Sequence, residues 1–143
     1  RESAGYVDLA EGIERNGAPG FIGKDLEELF RRLLFNVLAG HRDDHLRNHG
    51  FLRTRDGWRL APAFDLNPLP EKATHELAIG LESHRPDIEV ALAEVAPFCR
   101  MKPAAARRVL DDVSIAVRSW RSVAAANEIE QDEIELMDEV FAA

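Results

Sequence analysis

The sequence predicts a mainly α-helical domain with one small β-hairpin, on the strength of three observations. Beginning at Asp25, apolar residues recur at three- and four-residue steps, the spacing of a helix with one buried face. An Asp56-Gly57 pair stands between the short runs Gly50 to Thr54 and Trp58 to Ala61, a strong local signal for a tight hairpin. From Pro86 onward the patterns are helical, with no further strand signal.

Taken in order, Tyr6 to Ile13 reads as a short helix, closed by the loop Asn16-Gly17-Ala18-Pro19-Gly20. The helix that begins at Asp25 follows. Leu26, Leu29, Phe30, Leu33, Leu34, Val37 and Leu38 share one face of it. Asp25 and Glu28 suit its positive N-terminal end, and Gly40 suits its stop. After the hairpin, Pro62, Pro68 and Pro70 are expected to keep the chain around Asp65 extended, because proline fixes its own φ and biases its predecessor away from helix. Three helices are then expected, over Asp87 to Phe98, Pro103 to about Ala126, and Glu128 to Phe141. In the second, Val109, Val113, Ala116, Val117, Trp120 and Val123 form a stripe that reads as core, or as a surface for a partner.

The 143 residues, 45% hydrophobic and 31% charged, fit one globular domain able to bury a core. A net charge of -8 argues against a nucleic-acid-binding surface, which needs a concentrated basic patch. Cys99 has no second cysteine to pair with. Nothing reads as a signal peptide or as an apolar run of about 20 residues that could span a membrane, so the cytoplasm is the expected location. The chain opens at Arg1 rather than methionine and reads as part of a longer protein.

The chemistry concentrates in His41-Arg42-Asp43-Asp44-His45-Leu46-Arg47-Asn48 and in Phe64-Asp65. Phosphoryl transfer demands accurate placement of a nucleophile and metal ions more than covalent help. A kinase catalytic loop has the form H-R-D-x-x-x-x-N, in which the Asp takes or orients the hydroxyl proton and the Asn binds magnesium. His41-Arg42-Asp43 with Asn48 meets that spacing. A second acidic ligand is then required, because magnesium prefers hard oxygen donors. Asp65 is the candidate, since a hairpin returns the chain close to where it left. Leu66-Asn67 follows it where ordinary protein kinases have Phe-Gly, which indicates an atypical kinase.

Phe35-Asn36-Val37-Leu38, Asp43 to Gly50, and Trp58-Arg59-Leu60-Ala61-Pro62-Ala63-Phe64-Asp65-Leu66-Asn67-Pro68 together resemble the C-terminal part of HipA-type serine/threonine kinases, the toxins of bacterial toxin–antitoxin pairs. The family pattern runs D-x-H-x-K-N, a hairpin, then L-x-P-x-Y-D. Arg47 stands in place of its lysine and Phe64 in place of its tyrosine. The resemblance implies the C-lobe of an atypical protein-kinase-like fold dependent on ATP and Mg2+. It implies Asp43 as the catalytic aspartate, His45 as a residue shaping the site, and Asn48 and Asp65 as the magnesium ligands that meet the nucleotide. A protein substrate and a DNA-binding antitoxin partner are also implied. The family's ATP-binding N-lobe is not recognisable: Gly17 to Gly23 is too irregular for a phosphate loop, and Lys24 begins a helix. The 143-residue chain is therefore expected to be inactive alone.

Plainer expectations attach to the remaining polar residues. His41 and Arg42 are not demanded by the HipA-like pattern. Asp44 reads as an exposed neighbour of Asp43, His49 and Asn67 as local hydrogen-bonding residues, His75 and His84 as surface residues, and Cys99 as a packed, inert thiol. His41 and His45 share the spacing of the zinc motif H-E-x-x-H, but Arg42 replaces its Glu and the polar run is not helical. Two alternatives remain open. One is a small-molecule phosphotransferase of the aminoglycoside-kinase type; the other is a non-enzymatic protein-binding module.

Overall fold

A computed structural model describes residues 3–141. Its architecture is helical, with one two-stranded antiparallel hairpin among the described residues. Helix α1 (Tyr6–Asn16) is longer than predicted and buries Tyr6, Val7, Leu9, Ala10 and Ile13. Asp8 reaches back to accept the Gly5 N–H at 2.8 Å, satisfying one donor at the helix start.

Helix α2 (Ile22–Leu38) is the axis of the core. It begins three residues before the predicted start and ends as Gly40 turns the chain with φ of +67°. The seven apolar residues predicted to share one face are all buried, and α1 packs against them. Asp25 lies in the first turn of α2, as expected, and does more than favour the helix dipole. Its carboxylate accepts from Arg59 Nε at 2.9 Å and Nη2 at 3.0 Å, and from the Leu60 N–H at 2.9 Å.

That carboxylate fastens the hairpin to α2. Strands β1 (Phe51–Arg53) and β2 (Trp58–Leu60) pair as Phe51 with Leu60 and Arg53 with Trp58, around the Asp56-Gly57 turn the sequence marks. The Trp58 carbonyl accepts from Ala18 N at 2.9 Å, so the loop after α1 docks on the hairpin. A Cβ on Gly57 would lie 2.7 to 2.8 Å from the backbone of Gly17 and Ala18, so close an approach requires glycine there.

The predicted helix over Asp87 to Phe98 is irregular. Asp87 caps α3 (Ile88–Val90) by accepting from Glu89 N and Val90 N. The turn then widens into a π segment over Ala91–Val95 and tightens to a 3-10 turn over Ala96–Cys99. Pro97 explains the change, since it lacks the N–H that a regular ladder needs. Cys99 is buried, and burial pushes its thiol up to about 12, so it is the inert packed residue expected.

The helix predicted from Pro103 to Ala126 is divided into α4 (Pro103–Arg118) and α5 (Trp120–Ala126). Ala106, Val109, Val113 and Val117 bury against the core, but Val123, beyond the break, is exposed. Helix α6 (Gln131–Met137) is shorter than predicted and folds back, so that Trp120 stacks on Phe141 with ring centres 4.5 Å apart. No helix among the described residues is long and apolar enough to cross a membrane.

Candidate active site

The polar loop between α2 and β1 is built on a buried carboxylate. Asp44 is 2% exposed, against the expectation that it would be a solvent-facing neighbour of Asp43. It accepts a hydrogen bond from the Tyr6 hydroxyl, one from Asn36 Nδ2 at 3.2 Å and one from His49 Nε2 at 2.9 Å. Asn36 also donates to the Tyr6 oxygen at 2.8 Å, and the Tyr6 and His49 rings meet edge to face. Helix α1, helix α2 and the loop are thereby joined at one point. Burial acts to raise the Asp44 carboxyl, but the His49 and Tyr6 hydrogen bonds outweigh it and hold the group below the usual carboxylate range. Burial and the Asp44 charge push the Tyr6 hydroxyl the other way, well above its ordinary value.

The backbone explains why the two adjacent aspartates differ. Residues 42–44 run beside residues 76–77, with Glu76 N donating to Arg42 O at 3.0 Å and Leu77 N to Asp44 O at 3.2 Å. Neighbouring side chains of an extended segment point to opposite sides. With Asp44 turned inward, Asp43 faces out, its side chain 56% exposed. Asp43 Oδ1 accepts from Lys72 Nζ at 3.0 Å, and that ammonium also donates to Glu76 Oε2 at 2.6 Å. The Lys72 hydrogen bond and charge hold the Asp43 carboxyl below its ordinary range.

Asn48 closes a 3-10 turn over Leu46–Asn48 and is buried. Its Nδ2 donates to the Asp43 carbonyl at 3.4 Å, which leaves Oδ1 without a hydrogen bond among the described residues. His45, half-buried, precedes that turn, and its backbone carbonyl accepts from Asn48 N at 2.8 Å.

Asp65 is exposed and is not extended as expected: its φ is +55°, the left-handed region that aspartate tolerates better than most residues. Asn67 Nδ2 donates to Asp65 Oδ1 at 3.0 Å. The flanks of Asp65 lie on the loop. The Phe64 ring is 3.4 Å from where a Gly50 Cβ would be, and Leu69 N donates to Gly40 O at 2.9 Å. His41 Nδ1 lies 2.8 Å from Asn67 O and 3.2 Å from Asn67 N, so either tautomer ties the ring to Asn67. The hairpin thus returns the Asp65 segment to the loop, although no hydrogen bond joins the Asp65 and Asn48 side chains.

Three further polar residues lie buried or half-buried beside the loop. His41 is buried, with Nε2 3.9 Å from Asp44. Arg42 donates to the Lys72 carbonyl, and together with His41 it anchors both ends of the segment that follows Asp65. His75, expected at the surface, is 3% exposed, and neither ring nitrogen has a hydrogen-bond partner. Burial, with the Arg42 charge, lowers it to about 4. Sequence reasoning missed His75 because its neighbours are polar; the run Leu77-Ala78-Ile79, buried just after it, was the available signal.

No group of three or more His, Cys, Asp or Glu side chains converges to hold a metal among the described residues. The donors at hand are the Asn48 amide oxygen and the Asp65 carboxylate, both hard. Such a set suits a magnesium ion that keeps waters and phosphate oxygens as its remaining ligands, and does not suit an all-protein cage.

Residues 1–120 match the family model described as the HipA-like C-terminal domain. That range holds every residue of the site. No curated protein and no solved structure matches the chain.

Proposed function

Since this chain belongs to the family of HipA-like C-terminal domains, matched over residues 1–120, we propose that it carries the catalytic half of an ATP- and magnesium-dependent protein serine/threonine kinase. The nucleotide-binding half is proposed to lie on a separate lobe, since Gly17 and Ala18 dock on the hairpin and residues 19–23 run through a 3-10 turn into α2. The observation that carries the proposal is the division of labour between adjacent aspartates. Asp44 spends its hydrogen-bonding capacity on the fold. Asp43 is exposed on the same loop as Asn48, and its Oδ2 accepts no hydrogen bond from a described residue.

In the proposed reaction the hydroxyl oxygen of a substrate serine or threonine bonds to the γ-phosphorus of ATP. The bond from that phosphorus to the β–γ bridging oxygen breaks, ADP leaves with the electron pair, and the hydroxyl proton passes to Asp43 Oδ2. Asn48 Oδ1 and Asp65 would hold magnesium, which would supply positive charge to offset that of the nucleotide phosphates. The His45 carbonyl, accepting from Asn48 N, and the Asn67 amide, donating to Asp65, hold the two carriers of that site.

The remaining proposals follow the family: the intact protein is the toxin of a cytoplasmic toxin–antitoxin pair, its substrate is a protein, and its partner is a DNA-binding antitoxin. Asp43→Asn, made in the protein that joins this domain to its ATP-binding lobe, is expected to lower label transfer from γ-labelled ATP to a serine-containing protein by about 10²–10⁴-fold. Thermal unfolding should be unchanged, because Asp43 is exposed. Unchanged turnover would remove Asp43 from its role, and transfer to small alcohols instead of protein would replace the substrate class.

A further inference from the structure

Lys72 was outside every motif in the sequence, yet it supplies the cation nearest to Asp43. Its ammonium donates to Asp43 Oδ1 at 3.0 Å and to Glu76 Oε2 at 2.6 Å. An ammonium has three N–H donors, so one is left over. The backbone of Lys72 is fixed from both sides, with its N–H on Leu69 O at 3.2 Å and its carbonyl taken by Arg42, the residue immediately before Asp43. A surface lysine normally swings on a long flexible stem; this one is held at its root and at its tip, and its side chain is 30% exposed. No helix sets the spacing of Lys72 and Glu76, which lie in irregular chain.

The charge around the site calls for such a group. Asp43 and Glu76 put two carboxylates on the ammonium, and Asp65 adds a third on the segment that returns to the same loop, in a chain of net charge -8. At contact distance each like charge repels an entering phosphate, and the cost rises as water is excluded. Taking the site as the phosphoryl-transfer centre proposed above, on which this inference rests, we infer that Lys72 gives its remaining N–H to the phosphoryl group in transfer, and that Glu76 is the positioning residue that aims it. No bond to Lys72 forms or breaks. Its ammonium stabilises charge on the equatorial oxygens while the hydroxyl proton goes to Asp43.

The test uses the protein with its ATP-binding lobe, assayed for γ-phosphoryl transfer to a serine-containing protein. Lys72→Met is expected to lower kcat by about 10²–10³-fold, the loss typical when one preorganised donor to a transition-state oxyanion is removed, with KM for ATP changing far less. Lys72→Arg should restore part of kcat, and Glu76→Gln should lower it by a smaller factor than Lys72→Met. A merely structural ion pair would leave the kcat of all three unchanged, and that result overturns the inference while leaving the kinase reading intact. A rise in kcat for Lys72→Met also overturns it, by showing that the pair restrains Asp43. If the unaltered protein transfers no phosphate to protein or to small alcohols, the kinase reading itself falls, and the role of Lys72 falls with it.

Discussion

Two buried groups beside the site carry opposite consequences at the scale of single residues. Asp44 is buried as an anion because three donors meet it, whereas His75 is buried with none and is held neutral at about pH 4 and above. The folded protein therefore binds a proton at His75 less readily than the unfolded chain does. Between the ordinary histidine value of about 6.5 and the folded value of about 4, stability must fall as pH falls, by about 3 kcal/mol across the window. Above pH 6.5 the contribution is level. His75→Leu, which removes the titrating ring and its unpartnered nitrogens, is expected to equal or exceed the wild type in stability at pH 7 and to flatten the slope from pH 6.5 to 4. Urea denaturation at stepped pH measures both. Asp44 acts with the same sign at lower pH: its stabilising share is complete above about 3.9 and is lost as pH falls through its depressed folded value. Little of this was legible in the sequence. Asp43 and Asp44 are chemically identical, and an extended segment buries one of two neighbours without its composition saying which.

Among the elements, α2 and the hairpin were legible because each is written locally, one as a 3.6-residue apolar period and the other as an Asp-Gly turn. Their junction was not, because Asp25 and Arg59 meet across 34 residues of sequence. Removing the Asp25 carboxylate leaves the Leu60 N–H without its acceptor and Arg59 without its partner. Asp25→Ala is therefore expected to cost about 1–3 kcal/mol in chemical denaturation, with the loss concentrated in hydrogen-exchange protection of Trp58 to Leu60. The irregular helices were misread for a related reason. An apolar stripe continues through Val117, Trp120 and Val123, so periodicity alone joins α4 to α5. Ser119 nevertheless donates its hydroxyl to the Ala116 carbonyl at 2.7 Å, and the chain turns so that Trp120 stacks on Phe141.

Considered as a whole, the molecule is a helical core carrying a polar loop on one side, with the chain after Asp65 wrapped across that loop by the bonds from Leu69, Lys72, Glu76 and Leu77. That wrap brings Lys72 onto Asp43 and returns the Asp65 segment to the loop that holds Asn48. The 143-residue chain by itself is expected to transfer no phosphate from ATP, and the protein extended by its ATP-binding lobe to do so; parallel assays at matched concentration compare them. What the sequence by itself determined was whatever depends on near neighbours: the buried face of α2, the hairpin turn, the stop at Gly40, and the spacing of Asp43 to Asn48 that marks the family. Only the tertiary structure decided which aspartate faces solvent, that His75 is buried, that Asp65 takes a left-handed conformation, and that Lys72 comes to lie on Asp43. Most of those outcomes depend on pairings between residues far apart in sequence, such as Tyr6 with Asp44 and Arg42 with Lys72. Burial and long-range hydrogen bonds select them together, and no local pattern of residue types encodes them.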